Sequence, residues 1–118
     1  MMKLLVYQKL GFLVLVPLAA LIFFVGPAFA DETIFTISIK DHRFDPVELE
    51  VPAGKKVKLI IKNLDPTPEE FESYDLNREK IILGGREGIV YIGPLDPGTY
   101  EFFGEFFPDT AQGRILVK

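Results

Sequence analysis

Carboxylate side chains are concentrated in two short segments of this chain, and its single histidine lies in a third. The candidates for chemistry are Glu69, Glu70 and Glu72 in "PTPEEFES", Glu105 and Asp109 in "GEFFPDT", and His42 in "KDHRFDP". Carboxylate oxygens suit hard cations such as iron, manganese and calcium better than Cu(I), and one imidazole would shift the preference toward iron or Cu(II). In an extended segment Glu70 and Glu72 project to one side and Phe71 to the other.

The same residues also have a purely structural interpretation. "PEEFES" is equally typical of a solvated loop, or of a short helix after Pro68 whose first turn favours acidic residues. His42 has no second histidine to pair with, as is common for an exposed or capping residue in a turn. Glu79 lies between Arg78 and Lys80, which predicts a surface ion pair.

The composition excludes several other classes of chemistry. The chain has 118 residues, no cysteine and a net charge of −4. Without cysteine, zinc-finger, iron–sulfur and thiol redox sites are excluded, and no disulfide stabilises the fold. An acidic chain without a basic cluster argues against nucleic acid and anionic lipid as partners. No Ser-His-Asp context or glycine-rich phosphate loop supports an enzyme of the common hydrolase or nucleotide-binding classes.

The N-terminal segment predicts export. Two lysines precede a long uncharged apolar run, which ends in "GPAFA" before Asp31. A basic start, an apolar middle and an A-x-A ending are typical of a signal peptide, here residues 1–30. The alternative is an uncleaved anchor, because the uncharged interval is close to the roughly 20 residues of a membrane helix. In both cases residues 31–118 form a domain outside the cytoplasmic membrane, and only the N-terminal segment contacts that membrane.

Apolar and polar residues alternate along most of residues 31–118, as in half-buried strands. In "TIFTISI", "VELEV" and "KVKLIIKN" the residues expected to face inward are Phe35, Ile37, Ile39, Val47, Leu49, Val51, Val57, Leu59 and Ile61. Turn signals such as "DPG" and "GG" separate the segments. "NREKIILGG" is compatible with a helix or a strand. Six to eight short strands in one domain predict an all-β Greek-key β-sandwich.

Two longer phrases, "VELEVPAGKKVKLIIKN" and "GPLDPGTYEFFGEF", resemble the cupredoxin family, and the resemblance covers nearly all of residues 33–118. In that family a strand pair precedes the first metal ligand, and an aromatic hairpin carries the other ligands. The resemblance places the ligand cysteine of the family at Gly104, the second histidine at Phe107 and the axial methionine near Ala111.

The first histidine of the family falls on Glu69 or Glu70, so all four ligands of a blue-copper centre are replaced. Such a centre needs a thiolate and two imidazoles, and we therefore expect no blue copper here. The cupredoxin scaffold brings the two acidic segments together at one end of the sandwich, where a cation or protons must neutralise them. The predicted ligands of an iron or copper ion are Glu69, Glu70, Glu72, Glu105, Asp109 and His42.

"PTPEEFES", "REK" and "FFGEFFPDTAQG" are similar to small periplasmic cupredoxin-like proteins of bacterial iron uptake, which are related to the cupredoxin domain of EfeO-type proteins. The similarity implies a periplasmic accessory that binds iron or copper and has a membrane iron permease or a periplasmic iron-binding protein as its partner. Two alternatives stay open. One is a metal-free interaction module that docks through Phe106 or Phe107, and the other is a ferrous-iron oxidase component whose carboxylates stabilise Fe(III).

Overall fold

The computed structural model describes residue 22 and residues 32–118 of the chain. In this part the backbone forms nine strands: β1 (Thr33–Lys40), β2 (Arg43–Asp45), β3 (Glu48–Val51), β4 (Val57–Asn63), β5 (Glu69–Ser73), β6 (Arg78–Ile82), β7 (Glu87–Ile92), β8 (Gly98–Gly104) and β9 (Gln112–Val117). The described residues contain no helix that is long and apolar enough to cross a membrane. The predicted signal peptide or anchor lies outside the described residues, apart from Ile22.

The strands form two sheets. One has the order β2-β1-β4-β7 and the other has the order β3-β9-β8-β5-β6. Strand β1 pairs in parallel with β4, and β3 pairs in parallel with β9, whereas the remaining pairs are antiparallel. This architecture confirms the predicted all-β sandwich. The three-residue strand β2 brings the number of strands to nine, one above the predicted range of six to eight.

The core lies between the two sheets and follows the predicted alternation. Ile37, Leu59 and Ile61 of the first sheet are fully buried, as is Phe71 of the second sheet, all at 0% exposure. Burial of each such side chain contributes about 1.5–3 kcal/mol relative to an exposed one. The core therefore supplies the main stabilisation of a domain that has no disulfide.

Val47 is an exception, and the prediction that it faces inward is wrong. Its side chain is 57% exposed. Strand β3 begins only at Glu48, so the alternation of that strand does not govern Val47. The Val47 carbonyl accepts a hydrogen bond from the Arg114 N–H, and its side chain lines a surface groove together with Phe103.

The two segments with ambiguous sequence patterns are both strands. β5 and β6 pair as an antiparallel hairpin at the edge of the five-stranded sheet, so a helix after Pro68 is not formed. The side chain of Asn63 stabilises the start of this hairpin through hydrogen bonds. Its amide donates hydrogen bonds to the carbonyls of Thr67 and Ile82, at 2.8 and 3.0 Å, and its side-chain oxygen accepts one from the Asp65 N–H. The buried amide thereby connects the end of β4 to the loop before β5 and to the end of β6.

Candidate metal site

Three glutamates from β5 and β6 converge on the outer face of the five-stranded sheet. Glu70 and Glu72 lie two residues apart on β5, on the face opposite the buried Phe71, as the alternation predicts. Glu79 of β6 stands directly across from Glu72 in the register of the hairpin. One carboxylate oxygen from each of the three glutamates lies within 4.8 Å of the other two. The three side chains, called the carboxylate cluster below (Glu70, Glu72 and Glu79), are close enough together to hold a metal ion.

Glu72 is the buried member of the carboxylate cluster. It is only 8% exposed, and its Oε2 is buried without a hydrogen-bond partner. Buried polar atoms in folded proteins are nearly always hydrogen-bonded, because an unpaired one costs the full desolvation of the group. A cation bound between the three carboxylates would satisfy this oxygen.

Glu105 extends the carboxylate cluster from the neighbouring strand. Its backbone N–H donates a 2.9 Å hydrogen bond to the Glu70 carbonyl, one residue beyond the last paired residue of β8. Burial, followed by the Glu105 carboxylate, raises the pKa of Glu70. Burial also raises the pKa of Glu72, and the carboxylates of Glu79 and Glu105 add to that increase. The four side chains therefore repel one another when all are ionised.

No basic side chain of the described residues forms an ion pair with these four glutamates. The ion pairs in residues 32–118 join other partners: Lys58–Glu32, Lys62–Glu87, Arg114–Glu48, Lys118–Glu50 and His42–Asp65. The surface ion pair predicted for Glu79 is also absent from this part of the chain, and that prediction is wrong. Arg78 instead donates to the carbonyls of Tyr91 and Asn77.

Glu69 points the other way, into the sandwich. It is 1% exposed, and its Oε1 accepts hydrogen bonds from the backbone N–H groups of Glu70 and Phe106, both at 2.9 Å. Its carboxyl group lies against Gly104 so closely that a Cβ on Gly104 would be 2.6 Å from both Cδ and Oε2 of Glu69. The same Cβ would be 2.6 Å from the Cβ of the buried Ala111. The Glu69 carboxyl group thus occupies the space beside Gly104.

His42 and Asp109 do not belong to the carboxylate cluster. The His42 ring stacks on Phe107 with 3.5 Å between ring centroids, and its Nδ1 is 3.5 Å from Oδ2 of Asp65. Asp65 also accepts hydrogen bonds from the N–H groups of Asp41 and His42, which lie in a turn with positive φ. Asp109 is exposed. Of the predicted ligands, the structure therefore brings Glu70, Glu72 and Glu105 together. Glu69 lies on the opposite face of β5.

Comparison with known proteins places the fold in a family. The family model described as "Cupredoxin-like domain" matches residues 12–117. The chain belongs to this cupredoxin-like family. The match begins inside the predicted signal segment, whose residues are outside the described part apart from Ile22. The chain is also 50% identical over 95 residues to the uncharacterized protein RP394 of Rickettsia prowazekii (strain Madrid E), an alignment that covers 79% of this chain and 76% of that protein.

Solved cupredoxin structures share the fold at low sequence identity. Auracyanin A, a "blue" copper protein of Chloroflexus aurantiacus, superposes with a TM-score of 0.64 at 16% identity, over 74% of this chain and 99% of that chain. The metal-binding domain of the Cu(I)-exporting P-type ATPase CopA of Streptococcus pneumoniae D39 superposes with a TM-score of 0.64 at 15% identity, over 72% and 84% of the two chains. These similarities show the fold alone.

The residues of this cupredoxin-like chain do not fit a blue-copper ion. Gly104, Phe107 and Ala111 offer no side-chain donor, and the space beside Gly104 is filled by the carboxyl group of Glu69. The chain has no cysteine to supply a thiolate. A hard cation fits the oxygen donors of the carboxylate cluster instead.

Sequence reasoning missed Glu79. The sequence placed Glu79 between two basic residues, which favoured an ion pair, whereas the register of β5 and β6 places it opposite Glu72. The signal that would have found it is the four-residue turn "YDLN" at 74–77. A tight hairpin around this turn pairs Glu72 with a residue a few positions beyond it.

Proposed function

We propose that this cupredoxin-like protein binds one hard cation, with iron as the first candidate, through the carboxylates of Glu70, Glu72 and Glu79 and with Glu105 beside them. The observation that carries the proposal is the buried, unpartnered Oε2 of Glu72 within three carboxylates that lie 4.8 Å or less apart. Four acidic side chains without a described basic partner leave a negative charge that a divalent or trivalent cation neutralises.

The biological setting of this cation site is part of the proposal. The A-x-A ending of the N-terminal segment supports export to the periplasm. The similarity of "PTPEEFES" and "FFGEFFPDTAQG" to periplasmic proteins of iron uptake supports an accessory role beside a membrane iron permease or a periplasmic iron-binding protein. A carboxylate site on the outer face of a sheet, with Glu79 exposed, suits such a role, because the cation can pass to a partner without unfolding of the core.

Calorimetric titration of the full chain with Fe²⁺ under anaerobic conditions, Mn²⁺, Ca²⁺ and Cu²⁺ tests the proposal. We expect one cation per chain and a dissociation constant that rises about tenfold or more in Glu72→Gln and in Glu79→Gln, because each variant removes one charged ligand. Glu101→Gln is the matched control, since Glu101 is an exposed glutamate of β8 outside the carboxylate cluster. Equal binding by Glu72→Gln and the wild type would overturn the cation site.

A second function is favoured by the exposed apolar residues near the carboxylate cluster. Phe106 is 44% exposed immediately after Glu105, and Ile81 is 54% exposed across from Glu70. These residues are suited to a metal-free module that docks on a protein partner. Co-purification with the iron permease separates the two functions, because a purely docking role predicts loss of binding in Phe106→Ser and no effect of Glu72→Gln.

A further inference from the structure

The inward Glu69 and the outward carboxylate cluster are connected through one short stretch of backbone. Glu105 lies between Gly104, whose N–H donates to the Ala111 carbonyl at 2.8 Å, and Phe106, whose N–H donates to the Glu69 carboxylate at 2.9 Å. Its own N–H donates to the Glu70 carbonyl. Three consecutive backbone N–H groups are therefore fixed, and the third is fixed by a buried side chain rather than by strand pairing.

We propose that Glu69 is a positioning residue for the carboxylate cluster: it anchors the backbone after β8 so that Glu105 faces Glu70 and serves as a fourth ligand of the bound cation. This inference rests on the proposed function. The same Oε1 of Glu69 also accepts the N–H of the neighbouring Glu70, whereas its Oε2 is buried without a hydrogen-bond partner. One buried carboxylate oxygen thus joins β5, which carries Glu70, to the segment after β8 that carries Glu105.

Gly104 provides the space in which the Glu69 carboxyl group makes this contact. The Glu69 carboxyl group reaches the Phe106 N–H along a path beside Gly104, where any Cβ would lie 2.6 Å from Cδ and Oε2 of Glu69. Gly104 stands at the position to which the family resemblance assigns the copper-binding cysteine. The chain therefore uses the family's copper position to hold a structural carboxylate, and the proposed cation ligands lie on the other face of the same sheet.

The test compares Glu69→Met with Glu69→Gln in the full chain. Methionine fills a similar volume but offers no oxygen to the Phe106 N–H, whereas the glutamine carbonyl oxygen still accepts it. We expect Glu69→Met to weaken Mn²⁺ and Fe²⁺ binding by about 10–100-fold, as is typical of the loss of a group that orients a metal ligand, and Glu69→Gln to bind like the wild type. A merely structural role for Glu69 would lower the thermal stability of both variants without this separation in affinity.

A double variant and amide hydrogen exchange complete the test. If Glu69 acts through Glu105, then Glu69→Met combined with Glu105→Gln binds no more weakly than Glu69→Met alone. Additive losses in the double variant, or wild-type affinity in Glu69→Met, would overturn the positioning role. A wild-type chain that binds neither cation overturns the proposed function and the ligand role of Glu105. Protection of the Phe106 amide in the wild type and Glu69→Gln, with its loss in Glu69→Met, then still decides whether Glu69 anchors the backbone.

Discussion

Glu72 combines burial with an unsatisfied carboxylate oxygen, and this combination is unfavourable in a protein that binds nothing. Its side chain is 8% exposed, its Oε2 has no hydrogen-bond partner, and Glu79 stands directly opposite. Residues kept in an unfavourable electrostatic environment are concentrated at functional sites. Removal of the charge should therefore help the fold and harm the function.

The pH dependence of stability follows from the pKa values of Glu70 and Glu72. Burial and the neighbouring carboxylates raise both pKa values in the folded protein, so the folded state holds more protons than the unfolded state above the ordinary glutamate pKa. The contribution of these two glutamates to the free energy of unfolding of the metal-free protein is therefore largest at acidic pH and falls as the pH rises through the raised pKa values. Urea denaturation across about pH 4–8, the range in which these glutamates are expected to titrate, should show this fall in the free energy of unfolding. In Glu72→Gln the fall should be smaller, and the midpoint of unfolding at neutral pH should lie at a higher urea concentration.

A substitution of Gly104 tests the packing beside Glu69. In Gly104→Ala the new Cβ would approach Glu69 Oε2, Glu69 Cδ and the Ala111 Cβ to 2.6 Å, so these groups must shift. We expect the free energy of unfolding to fall by about 1–3 kcal/mol, as for other overpacked interiors. Gly98→Ala is the matched control on the same strand, because the nearest atom to its Cβ is a Tyr100 ring carbon at 3.7 Å. Equal free energies of unfolding of the two variants, measured by chemical denaturation, would contradict the tight packing at Gly104.

At the scale of the elements, the β5–β6 hairpin places two like charges opposite each other at the edge of a sheet. Glu72 and Glu79 are cross-strand partners, and such like-charged pairs are destabilising. Exposed edge strands of globular proteins are commonly protected by lysine or proline. The edge strand β6 does carry Lys80, yet its Glu79 faces Glu72, and the proposed cation would relieve the repulsion between these two carboxylates.

Glu79→Lys tests this interpretation of the hairpin. The lysine would form a cross-strand ion pair with Glu72, so we expect a higher melting temperature for the metal-free protein and the loss of cation binding. Differential scanning calorimetry and titration with Mn²⁺ measure the two effects on the same sample. Lys80→Gln, on the same strand but outside the carboxylate cluster, should leave cation binding unchanged. A variant that keeps full cation affinity would show that Glu79 is not a ligand.

At the scale of the whole molecule, cation binding should be coupled to folding. The carboxylate cluster joins β5 with β6, and Glu105 follows β8, so the candidate ligands come from segments that only the folded sheet brings together. A ligand that binds the folded state alone stabilises it by about 2.7 kcal/mol at a concentration 100 times its dissociation constant. Thermal unfolding with and without saturating Mn²⁺ should show this increase, and a chelator should reverse it.

Copper should behave differently in the same molecule. The chain has no cysteine, and the resemblance to the family assigns its copper ligands to the positions of Gly104, Phe107 and Ala111. A blue centre depends on a thiolate in a trigonal field with two imidazoles. Visible spectroscopy during addition of Cu²⁺ should therefore show no intense blue band. An intense band would contradict the absence of a thiolate ligand.

The sequence alone determined the fold class, because strand alternation is a local property that burial of one face imposes on consecutive residues. It identified Ile37, Leu59 and Phe71 as core residues and placed Glu70 and Glu72 on one face. The absence of cysteine was sufficient to exclude blue copper. These inferences depend on a period of two residues or on composition, and neither requires knowledge of a distant partner.

Only the tertiary structure decided which residues meet. The register of β5 and β6 brought Glu79 to Glu72, and the pairing of β5 with β8 placed Glu69 against Gly104, which is distant in sequence. It also left Val47 exposed, because the residue lies just before β3. Alternation assigns a residue to a face but not to a neighbour, since pairing across strands is set by turns and by packing far along the chain. The candidate cation site is therefore a property of the folded sheet.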